Sequence, residues 1–345
     1  MDSFEIARLA GVSRKTVQRV LNNHPNVKPE TKEKILALME QHHYLPNASA
    51  RKLSSKKTNT IGIFIIQDVK HYTLFSDDLF FGPVIGAMIS QSAHRNYKTL
   101  ITILDITDPE PLFTLYKQRS IDGGVMVSWS NLQSIVDKIS LAGFHAGVFL
   151  QNNIDQASAD ILVPILDDRK GAYDAARYLL ELGHRDVAII TGDMNNPAAV
   201  KRFEGFQDAL NDAAVAMPDS NVYYGNYTEE SGEAAIDHWI TREKLPKAVF
   251  CSNDQTAYGA LKALFRHGID VPNEISVVGY DDLLISQYTH PPLTTMKVPR
   301  VEMAVSLVDQ LIDRLENKDN NEGESESLGP TFRAELMIRN SCKEA

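Results

Sequence analysis

Between Ser13 and Asn22 the chain carries Arg14, Lys15, Gln18, Arg19 and Asn22, with no acid among them. Arg and Lys can donate to guanine O6 and N7, and Gln or Asn can pair with adenine N6 and N7. At helical spacing this set has the donors needed to read a DNA major groove. A solvated helix face displays similar residues. Three other polar groupings lie far along the chain: Arg202, Ser252-Asn253-Asp254 and Tyr280-Asp281-Asp282. An arginine, an amide and a carboxylate converging on a cleft can bracket several hydroxyls, as sugar binding demands. Asp and Asn placed after strands also cap helices, so Asp254 and Asp282 carry both readings. The adjacent carboxylates Asp167-Asp168 and Asp281-Asp282 point in different directions on a strand or loop and do not make one reaction centre. No HExxH, Walker, GxSxG or strand-following GxGxxG motif is present, which argues against an enzyme; no cofactor or metal is expected.

These residues need elements to position them. Residues 1–45 read as helix–turn–helix–loop–helix. Ser3 is placed to cap a first helix with apolar Phe4, Ile6, Ala7 and Leu9, and Gly11 permits the tight turn. Ser13 is placed to cap the second helix, whose Val17, Val20 and Leu21 face one side. Pro29 suits the first turn of a third, whose Ile35, Leu36 and Met39 return an apolar face. The eight residues 46–53 are too few for a stable isolated helix. Leu53, beside Arg51 and Lys52, is either a minor-groove wedge or a linker leucine. From Thr60 onward strands alternate with amphipathic segments. Ile61–Ile66, Leu100–Leu104, Gly124–Val127 and Gly147–Leu150 form one series; Val187–Thr191, Val249–Ser252 and Ile275–Gly279 form a second. That alternation predicts two lobes of parallel sheet covered by helices, with ligands beyond the carboxyl ends of the strands. The polar stretch 317–327 reads as a solvated insertion.

The chain has 345 residues, enough for two or three domains, and a net charge of −10. Divided at residue 57, the head holds 11 Lys/Arg and 5 Asp/Glu, a net +6, and the remainder is −16. That asymmetry fits one module meeting a polyanion. No apolar run approaches a bilayer span and the first residues carry no basic n-region with an apolar core behind it, so a cytoplasmic location is expected, with no membrane partner. Cys251 and Cys342 make no disulfide framework.

Ile6-Ala7 through Gly11-Val12-Ser13, followed by Thr16–Asn22, resemble the N-terminal signature of the LacI/GalR family of bacterial transcription regulators. Tyr44-Leu45-Pro46-Asn47 and Ala50-Arg51-x-Leu53 resemble that family's hinge helix. Asp168-x-x-Gly171, Leu182-Gly183-His184-Arg185, Arg202-x-x-Gly205-Phe206, Asn253-Asp254, Ser276–Asp282, Pro292-Leu293-Thr294-Thr295 and Glu335–Cys342 extend the resemblance over most of the body.

The resemblance implies an all-α helix-turn-helix head over 1–45, a hinge over 46–58, and an α/β two-lobed periplasmic-binding-protein-like core of doubly wound parallel sheets over 59–345. Lobe 1 would comprise about 59–157 and 287–316, and lobe 2 about 158–286 and 328–345. It implies that Arg14, Lys15 and Arg19 read bases, that Thr16, Asn22 and Asn26 touch phosphates, and that Ala50 and Leu53 serve the hinge. Gln18 stands where the family usually has Ser, which leaves its target, base or phosphate, open. Effector contacts map to Arg202, Asn253 and Asp281, with Tyr227 stacking, Gln151 as a polar contact and Phe80 and Phe81 as an aromatic pair. Such a set suits a pyranose and leaves a nucleoside or another polyol open. A homodimer, or dimer of dimers, on a pseudo-palindromic double-stranded operator is expected, with a carbohydrate effector; a phosphoprotein corepressor or a sugar phosphate is the alternative. An extracytoplasmic sugar-binding protein would share the body but not the basic head.

Overall fold

The first helix, α1 (Ser3–Ala10), is capped not by Ser3 but by Asp2. Asp2 Oδ1 accepts from the Phe4 and Glu5 amides at 2.8 and 3.0 Å, and Glu5 returns a bond to the Asp2 amide at 3.1 Å. This reciprocal box wins because the acidic side chain one residue earlier reaches two orphan donors at once. Gly11 ends α1 at φ 69°, where a side chain would be strained. Ser13 Oγ accepts from the Thr16 amide at 3.1 Å and so caps α2 (Arg14–Leu21), as expected. Pro29 opens α3 (Pro29–Gln41), and Lys28 before it makes no side-chain cap. Ile6, Ala7, Ala10, Val17, Val20 and Ile35 close the small core, with Leu38 and Met39 against it. Phe4, Leu9 and Leu36 instead remain exposed, because an eight-residue helix presents only one narrow stripe to so small a core.

A computed structural model describes residues 2–21, 26–42, 57–67, 79–150, 161–317 and 330–345. They divide into two units, Met1–Thr58 and Asn59–Ala345. Asn22, residues 46–56 with Ala50 and Leu53, Gln151, and most of the acidic insertion lie outside the described residues.

In the larger unit, β1 (Thr60–Gln67), β2 (Lys98–Asp105), β3 (Gly123–Val127), β4 (Ala146–Phe149) and β5 (Ile161–Leu162) form a parallel sheet in the order β2-β1-β3-β4-β5. Helices α4 (Phe81–His94), α5 (Glu110–Lys117) and α6 (Gln133–Leu141) connect its strands. The period-two rule divides β1 between the two faces. Ile61 and Ile63 join one core with Phe81, Val84 and Met88 of α4, and Phe64 and Ile66 join another with α5 and α6. The edge strand β2 is less covered than expected, with Ile101 and Ile103 exposed.

The second lobe is built after β6 (Ile165–Leu166) from α7 (Asp168–Glu181), β7 (Val187–Ile190), α8 (Pro197–Asp212), β8 (Val222–Tyr223), α9 (Glu229–Thr241), β9 (Ala248–Cys251), α10 (Asp254–Arg266), β10 (Ser276–Asp281) and β11 (Thr294–Lys297). Helix α11 (Arg300–Asn317) returns to pack on α4, β3 and β4 of the first lobe. Strands β12 (Thr331–Phe332) and β13 (Glu335–Met337) complete the chain. The sheet order is β13-β11-β10-β9-β7-β8, parallel except for β13, which pairs antiparallel with β11. β12 pairs with β6 as a separate two-stranded ribbon.

Two expected lobe boundaries move. β5 pairs with β4, so the first lobe extends through Leu162 rather than ending near 157. β11 pairs with β10, so the return crossing falls after Lys297 rather than at 287. In both cases a short strand completes the sheet it has just left before the chain crosses. One core cluster runs through both lobes, and Leu162, Leu166, Leu283, Val298 and Ala334 join it at the crossings.

α7 and α8 cross at close range. A Cβ on Gly205 would stand 1.9 Å from the Arg169 carbonyl oxygen, which no rotamer change relieves. Gly205→Ala is therefore expected to lower unfolding free energy by about 1–3 kcal/mol, read by urea denaturation. Unchanged stability would contradict the close crossing.

Candidate effector site and DNA-facing helix

On α2, Val17 and Val20 are buried while Arg14, Lys15 and Arg19 are exposed and Thr16 and Gln18 half-buried. The spacing of three and four residues separates the two sides, so the cationic side is free of core duties. Arg14 folds back: its Nε donates to Ser3 Oγ at 3.2 Å and its guanidinium lies 5.3 Å from the Phe4 ring centroid. That contact gives the exposed Phe4 a use. The Thr16 hydroxyl lies 2.9 Å from Ser13 Oγ at the first turn. Asn26 is exposed in the turn before α3.

In the second lobe, Arg202 sits one and a half turns into α8 and is buried. Its Nε donates to Asp168 Oδ1 at 2.8 Å and its Nη1 to the Ser252 carbonyl at 2.6 Å. The guanidinium carbon is 3.8 Å from the Tyr280 ring centroid and 5.9 Å from that of Tyr227. Burial works against the Arg202 charge, but Asp168 and the surrounding acids hold its pKa above the ordinary value, so it stays protonated. Burial pushes the Asp168 carboxyl up while Arg202 pulls it back.

Asn253 and Tyr227 form a second linked pair. Asn253 Oδ1 caps α10 by accepting from the Thr256 amide at 2.9 Å, and its Nδ2 donates to the Tyr227 carbonyl at 2.9 Å. Asn253 thus acts first on the protein itself, fixing Tyr227 at φ 69°. The Tyr227 ring lies on Gly192, where a Cβ would stand 2.0 Å from its Cζ.

Asp281 is buried and adopts φ 127°, a region non-glycine residues rarely occupy. Its carbonyl accepts from Arg300 Nη1 at 2.9 Å. Burial raises the Asp281 carboxyl well above the carboxylate range, and Arg202 and Arg300 act in the opposite direction. Strain and desolvation on one residue fit a functional position.

The two remaining acids resolve differently from either reading. Asp254 caps nothing; fully buried, it accepts from Ser286 Oγ and Thr295 Oγ1, each at 2.5 Å, and from the Leu283 amide at 2.8 Å. Asp282 is paired with Arg339 at 2.5 Å. Both are structural.

On the first lobe, Phe80 and Phe81 meet edge to face at 5.4 Å, and Trp129 leans on both, at 5.5 and 4.3 Å. Arg300 lies 5.6 Å from the Phe80 ring. Trp129, Arg300 and the partner role of Asp168 were missed by the sequence reading. Trp129 stands two residues past β3, so the rule of carboxyl strand ends would have found it. Tyr227 Oη, Ser252 Oγ and Arg300 Nε are buried without a hydrogen-bond partner among the described residues. Such groups are costly unless something satisfies them. Among the described residues no cluster of three or more His, Cys, Asp or Glu could hold a metal.

Because burial raises the Asp281 carboxyl in the folded state, its contribution to stability falls as pH climbs from about 4 toward the folded pKa. Asp281→Asn is expected to remove that fall. Its unfolding free energy relative to the wild type should grow across this range in urea titrations; a difference independent of pH would contradict the buried carboxyl.

Two family models match parts of the chain. Residues 4–47 match the family "Bacterial regulatory proteins, lacI family", and residues 176–342 match "Periplasmic binding protein-like domain". The probable HTH-type transcriptional repressor ExuR of Bacillus subtilis is 33% identical over 340 residues, covering 98% of this chain and 97% of its own. The HTH-type transcriptional repressor PurR of Haemophilus influenzae is 30% identical over 344 residues, 98% of each chain. A solved transcriptional regulator CelR–cellobiose complex superposes with a TM-score of 0.71 at 26% identity, over 97% of this chain and 98% of that one. The lac repressor dimer bound to operator and the anti-inducer ONPF superposes at 0.79 with 22% identity, over 99% of both, a likeness of fold.

Proposed function

Because the chain belongs to the lacI family of bacterial regulatory proteins, DNA-binding transcription regulators with a separate effector-binding domain, we propose that it is a homodimeric repressor whose α2 helices enter successive major grooves of a pseudo-palindromic operator. Two-fold symmetry in the protein matches two-fold symmetry in the half-sites. Arg14, Lys15 and Arg19 read bases, Gln18 supplies an adaptable amide, and Thr16, Asn22 and Asn26 hold phosphates. Arg14 leaves its stacked position on Phe4 to reach a base. The hinge residues Ala50 and Leu53 meet their symmetry mates at the operator centre, where the leucines wedge into the minor groove. The regulator works in the cytoplasm; among the described residues no helix is long and apolar enough to cross a membrane.

The effector is a small carbohydrate held between the lobes by Arg202, Asp281, Tyr227, Phe80 and Phe81, with Asn253 positioning Tyr227 and Gln151 adding a polar contact. The observation that carries this reading is the meeting of a compensated buried arginine, a strained buried aspartate and three unpartnered polar atoms at the carboxyl ends of the strands. The complex of the related CelR with cellobiose supports a sugar.

Two measurements test it. Exchanging Arg14 or Lys15 for Ala is expected to change base preference in a randomised-site selection, since a bidentate contact discriminates by about 1–3 kcal/mol. An unchanged motif would sink the readout role. Asp281→Asn is expected to abolish the response of operator affinity to sugars while leaving unliganded affinity within about twofold. A retained response would place the effector elsewhere.

A further inference from the structure

The cations of α2 are not equivalent. Among the described residues neither Lys15 nor Arg19 has a side-chain hydrogen bond, ion pair or ring contact, and both are exposed. Arg14 is exposed as well, yet the residues that open α1 hold it. Its Nε donates to Ser3 Oγ at 3.2 Å, and its guanidinium carbon lies 5.3 Å from the Phe4 ring centroid. The Asp2 carboxyl beside them is kept below its ordinary pKa, chiefly by the Glu5 amide, and the Arg14 charge acts in the same direction.

Neither partner has a structural duty that explains its side chain. Asp2, not Ser3, caps α1. Phe4 is 63% exposed, and the small core closes on Ile6, Ala7, Ala10, Val17, Val20 and Ile35 without it. The hydrogen bond of Ser3 Oγ and the ring contact of Phe4 are both with Arg14.

These contacts also have a direction. When a helix-turn-helix docks, the second helix lies in the major groove with its first residues at the base edges, while the first helix crosses the backbone. A side chain of α2 laid against the start of α1 points to the backbone side and away from the groove floor. Bidentate reading of guanine O6 and N7 needs the guanidinium fork in the plane of the base. Arg14 reaches that plane only by giving up Ser3 and Phe4.

We infer that Ser3 and Phe4 set operator affinity through Arg14, forming a latch that holds its guanidinium off the groove and that operator binding must open. This rests on the reading above that Arg14 contacts a base. Ser3 and Phe4 are thus positioning residues. Apparent affinity falls by the fraction of molecules in which the binding-competent state is populated, so a closed latch weakens the Arg14 contact without altering it. An exposed cation–π contact and a single hydrogen bond each shift such an equilibrium by about two- to fivefold.

The test uses the full-length protein and a duplex that the wild type selects from a randomised library. Affinity is read by fluorescence anisotropy for the wild type, Ser3→Ala, Phe4→Leu and the double variant, each also in an Arg14→Ala background. The Asp2–Glu5 box and the apolar core are untouched by these changes, and circular dichroism with thermal melting checks that each variant is folded. The double variant is expected to bind about fivefold tighter than the wild type or more, and Ser3→Ala alone about two- to threefold tighter. In the Arg14→Ala background the same substitutions are expected to change affinity by less than twofold, because a purely structural or direct DNA role for Ser3 or Phe4 would persist there.

Unchanged or weaker binding by the folded double variant overturns the inference, weaker binding meaning that Ser3 and Phe4 present Arg14 to the base and do not restrain it. Equal tightening with and without Arg14 overturns it too. Should Phe4→Leu fail to fold, Ser3→Ala decides by the same criteria. Arg14→Ala alone separates the two readings. If it changes the selected motif while the Ser3 and Phe4 variants tighten nothing, base reading by Arg14 stands and the latch falls. If it leaves motif and affinity unchanged, both fall.

Discussion

The second lobe is organised around a charge that would be prohibitively costly alone. Arg202 is buried, and Asp168 at 2.8 Å and the Ser252 carbonyl at 2.6 Å make its burial tolerable. Arg202 and its two partners come from three different stretches of chain, so the cluster exists only when α7, α8 and the turn after β9 are all in place. The close approach of Gly205 to the Arg169 carbonyl belongs to the same crossing, because Asp168 and Arg202 are the near neighbours of those two residues. Packing without a side chain at position 205 brings the helices near enough for the pair to form. The pair then supplies a fixed polar floor that needs little rearrangement when a ligand arrives.

Strain is the second property of this floor. Asp281 and Tyr227 are both non-glycine residues with positive φ, at 127° and 69°. Each is pinned by a neighbour: Arg300 on the Asp281 carbonyl and Asn253 on the Tyr227 carbonyl. Removing either pin would release a backbone conformation that is not favoured on its own. Asn253 and Arg300 therefore matter to the site through the residues they hold, and Asp254 anchors the following turn by binding the Leu283 amide, Ser286 and Thr295.

Much of this was legible from sequence, and its limits have physical causes. Strand cores such as Ile61–Ile66 and Val187–Ile190 declare themselves because a strand buried on both faces is apolar throughout. The positions of Arg202 and Asp281 follow from strand ends. The cap of α1 was misassigned to Ser3 because Asp2 and Ser3 are both competent, and only the reciprocal bond with Glu5 decides. The return to the first lobe was placed at about 287 on the family resemblance; pairing of β11 with β10 is a long-range fact that no local pattern encodes. Asp254 and Asp282 could not be told from helix caps, since their partners, Thr295 and Arg339, lie far along the sequence. Trp129 was overlooked because a lone aromatic after a strand has no periodicity to flag it.

Arg300 is where these threads meet. It is the first residue of α11, the helix that packs on the first lobe, and it immediately follows the crossing from β11 in the second. Its guanidinium lies against Phe80 of the first lobe and donates to the Asp281 carbonyl of the second. A ligand changes an equilibrium between lobe arrangements only to the extent that it binds one arrangement better than another. A ligand touching only Arg202 and Tyr227 would engage one lobe and favour neither arrangement. One that also engages Phe80 or Trp129 binds both lobes at once, and its affinity then depends on their relative position. Because Arg300 already spans that seam, a change between the lobes alters its contact with Phe80, with Asp281, or with both. In the proposed site the same side chain lies both at the ligand and on the crossing, so occupancy and lobe movement would share one set of contacts.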